Sequence, residues 1–229
     1  MRTIEDTFKI ENFLQPKMYN RYKLGTKEEL KEMFIKAFNH YDQTVGTYNH
    51  LPEYDEIIDW MVDTKGRGLM LMGECGLGKS TITESIAQYF ADDLNLKLVD
   101  SITPSAEEFG YKEMRSALYE SIDFSGLPYI EQGIQKRAFL GNLPVSGQGI
   151  LFLDEFAQAP PSVQTVLSQL IYEKRIGDYR LPEDWMIVVA GNRAMDRAGS
   201  NKITTNNTTR VWNCTIESDS DNWINWASQ

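Results

Sequence analysis

The chain has 229 residues, of which 41% are hydrophobic, and this combination suits one substantial globular domain with an appendage at most. Its net charge of −10 argues against nonspecific binding to nucleic acid or to anionic membranes. No stretch approaches the roughly 18 consecutive apolar residues of a membrane span, and the N-terminus lacks the apolar core of a signal peptide. We therefore expect a cytoplasmic protein that does not associate with membranes.

Two helices are predicted in the N-terminal part of the chain. The first begins at a capping box formed by Thr26 and Glu29, after which apolar residues recur at helical spacing. The second follows in the segment HLPEYDEIIDWMVDTKGRG, which reads as a short helix ending at Gly66. On this basis we divide the chain into a helical N-terminal extension, residues 1–50, and a main domain, residues 51–229.

A phosphate-binding loop is predicted in the segment GECGLGKST. It completes the pattern G-x-x-x-x-G-K-[ST], whose glycines let backbone N–H groups approach phosphate oxygens closely. LMLM precedes the loop as a buried strand and KSTITESIAQYFADDL follows it as a helix, so the loop lies at a helix N-terminus, where the helix dipole favours phosphate. The residues expected to bind the nucleotide are Gly73, Glu74, Cys75, Gly76, Leu77, Gly78, Lys79, Ser80 and Thr81.

Strands and helices alternate after the loop. LKLVD predicts a second strand, and a helix is suggested for residues 106–119 within a region that carries no clearer pattern. GILFLDEF is an apolar strand ending in Asp154 and Glu155, PPSVQTVLSQLIYEKR is a helix, and WMIVVAGN is a buried strand ending at Asn192. This alternation predicts a three-layer α/β fold with a parallel sheet that binds its ligand at the carboxyl ends of the strands.

The polar residues at those strand ends predict ATP hydrolysis, which needs Mg²⁺, a charge clamp on the phosphates and a group that activates water. Lys79 is the expected clamp on the β and γ phosphates, and Ser80 together with Asp154 would hold the metal. Glu155 is the candidate general base, and Asn192 could hydrogen-bond the attacking water or the γ phosphate. We therefore expect an ATPase that uses ATP and Mg²⁺.

The segment from Gly149 to Gly199, GILFLDEFAQAPPSVQTVLSQLIYEKRIGDYRLPEDWMIVVAGNRAMDRAG, resembles the AAA+ ATPases of the MoxR type. The similarity extends from about residue 68 to residue 227, and GLPYIEQG is also similar to the segment before the second acidic motif of that family. The resemblance implies a P-loop NTPase fold, the AAA+ core, with a five-stranded parallel sheet in the order 5-1-4-3-2. It also implies a homo-oligomeric ring, commonly a hexamer.

The resemblance assigns a role to each candidate residue. The loop from Gly73 to Ser80 becomes the Walker A motif, Asp154 and Glu155 become the Walker B pair, and Asn192 becomes sensor 1. Arg210 aligns with the arginine finger that contacts the ATP of a neighbouring subunit, although the preceding TNNTT is a poor helix former where the family has a helix. Two other arginines close to the sensor strand are reserve candidates for the finger, namely Arg193 and Arg197.

Two further departures from the MoxR pattern bear on function. The family continues into a helical lid with a second arginine sensor, whereas this sequence ends at DNWINWASQ, soon after the predicted last strand. We therefore expect either a fragment or a protein that works without a lid and hydrolyses ATP slowly. The stretch LPEYDEIIDWMVDTKGRGLMLMGECGLGKS is closer to ATPases of the helicase-loader type.

Three functions follow from these patterns. The first is an ATP-driven enzyme that remodels a protein partner, often together with a von Willebrand factor A domain protein in the MoxR family. The second is a nucleotide-dependent binding module with slow hydrolysis, which the missing lid favours. The third is a DNA-handling ATPase similar to helicase loaders, against which the net charge of −10 argues.

Overall fold

The computed structural model describes residues 23, 25–41, 52–73, 78–139, 141–192 and 211–216. Within these ranges the strands are β1 (Leu69–Gly73), β2 (Lys97–Val99), β3 (Glu108–Arg115), β4 (Leu127–Glu131), β5 (Ile134–Ala138), β6 (Gly149–Asp154), β7 (Arg175–Ile176), β8 (Tyr179–Arg180), β9 (Trp185–Gly191) and β10 (Trp212–Ile216). The helices are α1 (Lys27–Tyr41), α2 (Pro52–Val62), α3 (Lys79–Asp93), α4 (Ser121–Ser125) and α5 (Pro161–Glu173). Two 3₁₀ turns cover Ser116–Leu118 and Phe156–Gln158.

A parallel sheet of six strands forms the centre of the described structure, in the order β10-β1-β9-β6-β3-β2. Numbered by their order in the chain, these strands run 6-1-5-4-3-2. The expected five-stranded sheet in the order 5-1-4-3-2 is therefore wrong in strand number and in the details of order. The five strands that remain when the edge strand β2 is left out do follow 5-1-4-3-2.

The two faces of the sheet are buried by different helices, which makes the fold three-layered. Successive residues of a strand point to opposite faces. Accordingly, Ile150 and Phe152 of β6 pack with residues of α1, α2 and α3, whereas Leu151 and Leu153 pack with residues of α4 and α5. Because both faces are buried, the central strands are apolar almost throughout, as the run GILFL indicated.

The helix expected at residues 106–119 is wrong, because this segment contains β3. The segment EEFGYKEMRSALYE is rich in helix formers and has no β-branched residue, so local propensity favours a helix. Tertiary contacts override that preference. Strand β3 lies between β6 and β2, buries Phe109 on one face and Met114 on the other, and stacks the Tyr111 ring on Phe152.

The N-terminal helices pack onto one face of the sheet. The capping box is confirmed: the Thr26 amide donates to Glu29 Oε2 at 2.9 Å, and the Glu29 amide donates to Thr26 Oγ1 at 3.3 Å. Helix α1 then buries Leu30 and Phe34 in the same cluster as α2 and α3. The division of the chain at residue 50 stays a prediction.

Helix α2 ends at Val62, four residues before the expected end at Gly66. The chain leaves the helix because Lys65 and Gly66 both adopt positive φ, at 49° and 67°. The Arg67 amide closes this turn on the Thr64 carbonyl at 2.9 Å, and the Trp60 indole donates to the Arg67 carbonyl at 3.0 Å. The turn delivers the chain directly into β1.

The connection between β3 and β6 carries an exposed antiparallel hairpin, β4–β5. All ten of its strand residues are exposed, including Leu127, Ile130 and Ile134. At the base of the hairpin, the Arg137 guanidinium donates to the carbonyls of Ser125 and Gly126 at 3.2 and 3.0 Å. The hairpin is thus anchored at one end and projects its apolar side chains from the domain.

Candidate functional site

The predicted phosphate-binding loop connects the end of β1 to the start of α3. Strand β1 ends at Gly73 and helix α3 begins at Lys79, with Gly78 between them in the left-handed conformation at φ 69°. A Cβ at Gly78 would meet no atom within 4 Å, so the need for glycine there comes from the backbone conformation and not from crowding. Glu74, Cys75, Gly76 and Leu77 lie outside the described residues.

The Lys79 ammonium is buried and bridges two strands. It donates to the Gly73 carbonyl at 3.1 Å and to Asn192 Oδ1 at 3.4 Å. The sheet explains this contact: β1 and β9 are parallel neighbours with Met72 opposite Gly191, so Asn192 comes directly after the carboxyl end of β9. Two residues 113 positions apart in sequence thereby meet at the carboxyl ends of neighbouring strands.

Ser80 and Asp154 form a second contact at the carboxyl ends of the strands. The Ser80 hydroxyl donates to Asp154 Oδ2 at 3.3 Å, while Asp154 Oδ1 accepts the Glu155 amide at 2.8 Å. The Glu155 bond fixes the carboxylate, and the hydroxyl and carboxylate oxygens are hard donors of the kind that Mg²⁺ prefers. The residues present therefore fit a Mg²⁺ ion that takes few protein ligands and completes its shell with phosphate and water.

Glu155 adopts a conformation that is uncommon for its residue type. Its φ of 54° and ψ of 30° lie in the left-handed region, where a residue with a Cβ costs about 1–2 kcal/mol. The surrounding chain holds it there, because Phe156 and Ala157 that follow are buried and the Glu155 carbonyl accepts the Gln158 amide at 3.0 Å. The sharp turn leaves the Glu155 side chain at the rim of the cavity described next.

A cavity of about 300 Å³ brings the predicted residues together at the carboxyl ends of the strands. Its lining contains seven residues that the sequence analysis had singled out, namely Gly78, Lys79, Ser80, Thr81, Asp154, Glu155 and Asn192. Arg210, Arg193 and Arg197 lie outside the described residues, so their assignment stays a prediction. The roles of the lining residues also stay predictions.

Two lining residues were missed by the sequence reasoning, Gly191 and Gln158. Gly191 immediately precedes Asn192 and shares its strand end. Gln158 ends the 3₁₀ turn Phe156–Gln158 that follows Glu155, and it lines the same cavity. The spacing E-x-x-Q after the acidic strand end was the available signal for Gln158.

Neither a cluster of metal-ligating side chains nor a membrane-spanning helix occurs within the described ranges. No group of three or more His, Cys, Asp and Glu side chains there could hold a metal ion. None of the helices described above has the length and apolar character needed to cross a membrane.

Two solved structures are similar to the chain at low identity. A presumed ATPase from Cytophaga hutchinsonii is 17% identical, with a TM-score of 0.44, and the match covers 88% of this chain and 58% of the other. NtrX from Brucella abortus is 16% identical, with a TM-score of 0.46, and the match covers 87% of this chain and 44% of the other. The chain thus spans only about half the length of either protein.

No curated protein matches the sequence. The family described as AAA domain (dynein-related subfamily) does match, over residues 68–208. These residues make up more than half of the chain. They run from the start of β1 past Asn192 and so contain every described residue that lines the cavity. The chain therefore belongs to the AAA domain family of the dynein-related subfamily.

Proposed function

We propose that the protein is a Mg²⁺-dependent AAA+ ATPase of the MoxR type that remodels a protein partner. One observation carries the ATPase chemistry. The Lys79 ammonium contacts Asn192, and the Ser80 hydroxyl contacts Asp154, across a cavity that also includes Glu155. These are the charge clamp, the metal ligands and the base that attack by water on a γ phosphate requires.

The chain's own residues divide the reaction between them. Lys79 exchanges its bonds to the neutral oxygens of Gly73 and Asn192 for bonds to phosphate oxygens, which are stronger because both partners are charged. Asn192, released from Lys79, orients the attacking water. The water oxygen bonds to the γ phosphorus as the bond to the bridging oxygen of ADP breaks, and Glu155 takes the proton. Mg²⁺ supplies charge neutralisation at the phosphates when bound by Ser80 and Asp154.

The assembly and the partner are proposed from the MoxR resemblance and from charge. We propose a homo-oligomeric ring whose subunits share ATP sites through an arginine finger. A net charge of −10 suits a protein substrate better than nucleic acid, and a von Willebrand factor A domain protein is the partner class that the resemblance suggests. A nucleotide-dependent binding module and a helicase-loader-like ATPase are the alternatives that the following experiment separates.

The experiment measures ATP turnover over a range of protein concentrations, with and without added DNA. Turnover per subunit that rises with concentration supports an active oligomer. Stimulation by DNA would favour the helicase-loader alternative instead. Binding of ATP with almost no turnover at any concentration would favour the binding module.

Two variants test the residue roles in the same assay. Glu155→Gln keeps the shape but removes the base, so we expect turnover to fall by about 10²–10⁴-fold while ATP still binds. Lys79→Ala removes the clamp charge, so ATP binding itself should be lost. Lys97→Ala is the matched control, because this lysine is exposed in β2 at the sheet edge. Near-normal turnover in Glu155→Gln would show that the base lies elsewhere.

A further inference from the structure

The side chain of Gln158 has a feature that its neighbours do not explain. Gln158 closes the 3₁₀ turn after Glu155 and lines the same cavity as Lys79, Asp154 and Asn192. Its Oε1 atom is buried, and no donor in the described part of the chain reaches it. A buried acceptor without a partner destabilises a fold unless a ligand or water supplies the missing bond.

A second glutamine holds the turn in place, so Gln158 is not needed for that task. Gln164 is buried in α5, and its Nε2 donates to the carbonyls of Ala157 at 3.3 Å and Ala159 at 3.1 Å. Backbone bonds complete the turn, with the amides of Gln158 and Ala159 donating to the Glu155 carbonyl at 3.0 and 3.2 Å. Since no hydrogen bond within the described residues holds Oε1 in its buried position, the side chain of Gln158 is free to rotate and present this oxygen to the contents of the cavity.

The chemistry of an amide oxygen restricts what it can bind there. Oε1 only accepts hydrogen bonds, and phosphate oxygens of ATP are themselves acceptors, so a direct bond between the two is excluded. The attacking water, by contrast, has two O–H groups to donate. Glu155 can accept one of them, which leaves the second for another acceptor that lines the cavity.

We propose that Gln158 is a further catalytic residue that accepts a hydrogen bond from the attacking water and so orients it towards the γ phosphate. This inference rests on the ATPase function proposed above. Glu155 and Gln158 line one cavity and hold the water between two acceptors, with Asn192 on the neighbouring strand end. With both O–H groups directed to these acceptors, a lone pair of the water oxygen faces the phosphorus.

The test uses Gln158→Met, which keeps the length of the side chain but has no amide. We expect its turnover at saturating ATP to fall by about 10–100-fold, while its affinity for ADP stays within about twofold of the unmodified protein. The melting temperature should be unchanged or higher, because no hydrogen bond within the protein is lost. Gln158→Glu keeps an acceptor oxygen and should retain more turnover than Gln158→Met.

Gln164→Met is the matched control, because it removes the bonds to Ala157 and Ala159 and should lower the melting temperature. Turnover of Gln158→Met within about twofold of the unmodified protein overturns the inference. A parallel loss of ADP affinity also overturns it, since that result indicates a contact to ribose or base. If only the Gln158 result fails, the proposed ATPase function stands; if the unmodified protein shows no turnover, both fail.

Discussion

The buried lysine Lys174 shows how strongly position determines the behaviour of a single residue. It ends α5 in the left-handed conformation at φ 53°, and its ammonium donates to the Trp185 carbonyl at the start of β9. Trp185 lies at the amino end of β9, whereas the nucleotide cavity lies at the carboxyl end of that strand. Burial lowers the pKa of the Lys174 ammonium from 10.5 to about 8. The folded protein therefore releases this proton at a lower pH than the unfolded chain does.

A pH-dependent gain in stability follows from this pKa. Between pH 8 and 10.5 the unfolded chain binds more protons than the folded protein, so the free energy of unfolding rises with pH across this window. In Lys174→Met the gain should be absent, and the unmodified protein should gain up to about 3 kcal/mol relative to the variant. Urea denaturation at several pH values measures the difference. If the free energy of unfolding depends on pH in the same way in both proteins, the lowered pKa of Lys174 is contradicted. Lys97→Met serves as the control at an exposed lysine.

Residue-scale prediction from sequence worked where a motif has a fixed spacing and failed where contacts are long-range. The spacing of Lys79 and Ser80 in the loop, and of Asp154 and Glu155 at a strand end, was sufficient to place these residues near one cavity. The unpartnered Oε1 of Gln158 was not predictable, because the tertiary packing around the turn decides whether a donor reaches this oxygen. Whether a buried oxygen has a hydrogen-bond donor within reach is known only from the three-dimensional structure.

At the scale of elements, β3 is the strand for which local propensity predicted a helix. One of its glycines, Gly110, shows how closely the strand packs against its neighbours. A Cβ at Gly110 would lie 2.6 Å from Cη2 of Trp185 and 2.9 Å from the Ser101 carbonyl oxygen. Trp185 is fully buried, and its indole N–H is bonded to the Ser146 carbonyl at 3.0 Å, so the ring has little room to move. Only a residue without a side chain allows the strand to lie this close.

We expect Gly110→Ala to destabilise the protein by about 1–3 kcal/mol, because the added methyl group overpacks the core against Trp185. Thermal denaturation measures the loss. The matched control is Gly141→Ala, where an added Cβ meets nothing within 4 Å and the melting temperature should hardly change. Equal melting temperatures for Gly110→Ala and the unmodified protein would argue against the packing of β3 described above.

Strands β6 and β9 and helix α5 were predictable because their patterns agree with their burial. Strands β6 and β9 are apolar on both faces and lie in the middle of the sheet, while α5 places its apolar residues on the one face that packs against it. The hairpin β4–β5 was not predicted as a strand pair. Its residues are all exposed, so burial leaves no periodic pattern in its sequence.

At the scale of the whole molecule, the direction of β10 determines which of its ends lies near the nucleotide loop. Strand β10 runs parallel to β1 with Trp212 opposite Leu69, so it begins at the amino end of β1. The nucleotide loop follows the other end of β1, at Gly73, about 13 Å further along the strand. Arg210 lies outside the described residues, two positions before β10 in the sequence, and its action on a neighbour's ATP stays a prediction.

A mixing experiment tests this proposal. Arg210→Ala should bind ATP almost normally but lose turnover by roughly 10³–10⁵-fold, the usual contribution of an arginine finger. Combined with Glu155→Gln, which keeps the arginine, the mixture should hydrolyse more ATP than either variant alone. Unchanged turnover in Arg210→Ala alone would show that the finger is another residue, with Arg193 and Arg197 to be tested next.

The edge strand β2 has a consequence for handling the protein at the concentrations that such mixtures require. An open sheet edge is a template on which other chains can add strands and aggregate. Here that edge is only three residues long, and it begins with the exposed, charged Lys97. A short edge with a lysine offers few unpaired backbone groups and a charge that opposes burial. Concentrated samples should therefore resist amyloid-like strand addition at this edge, so association at high concentration can be attributed to contacts elsewhere on the surface.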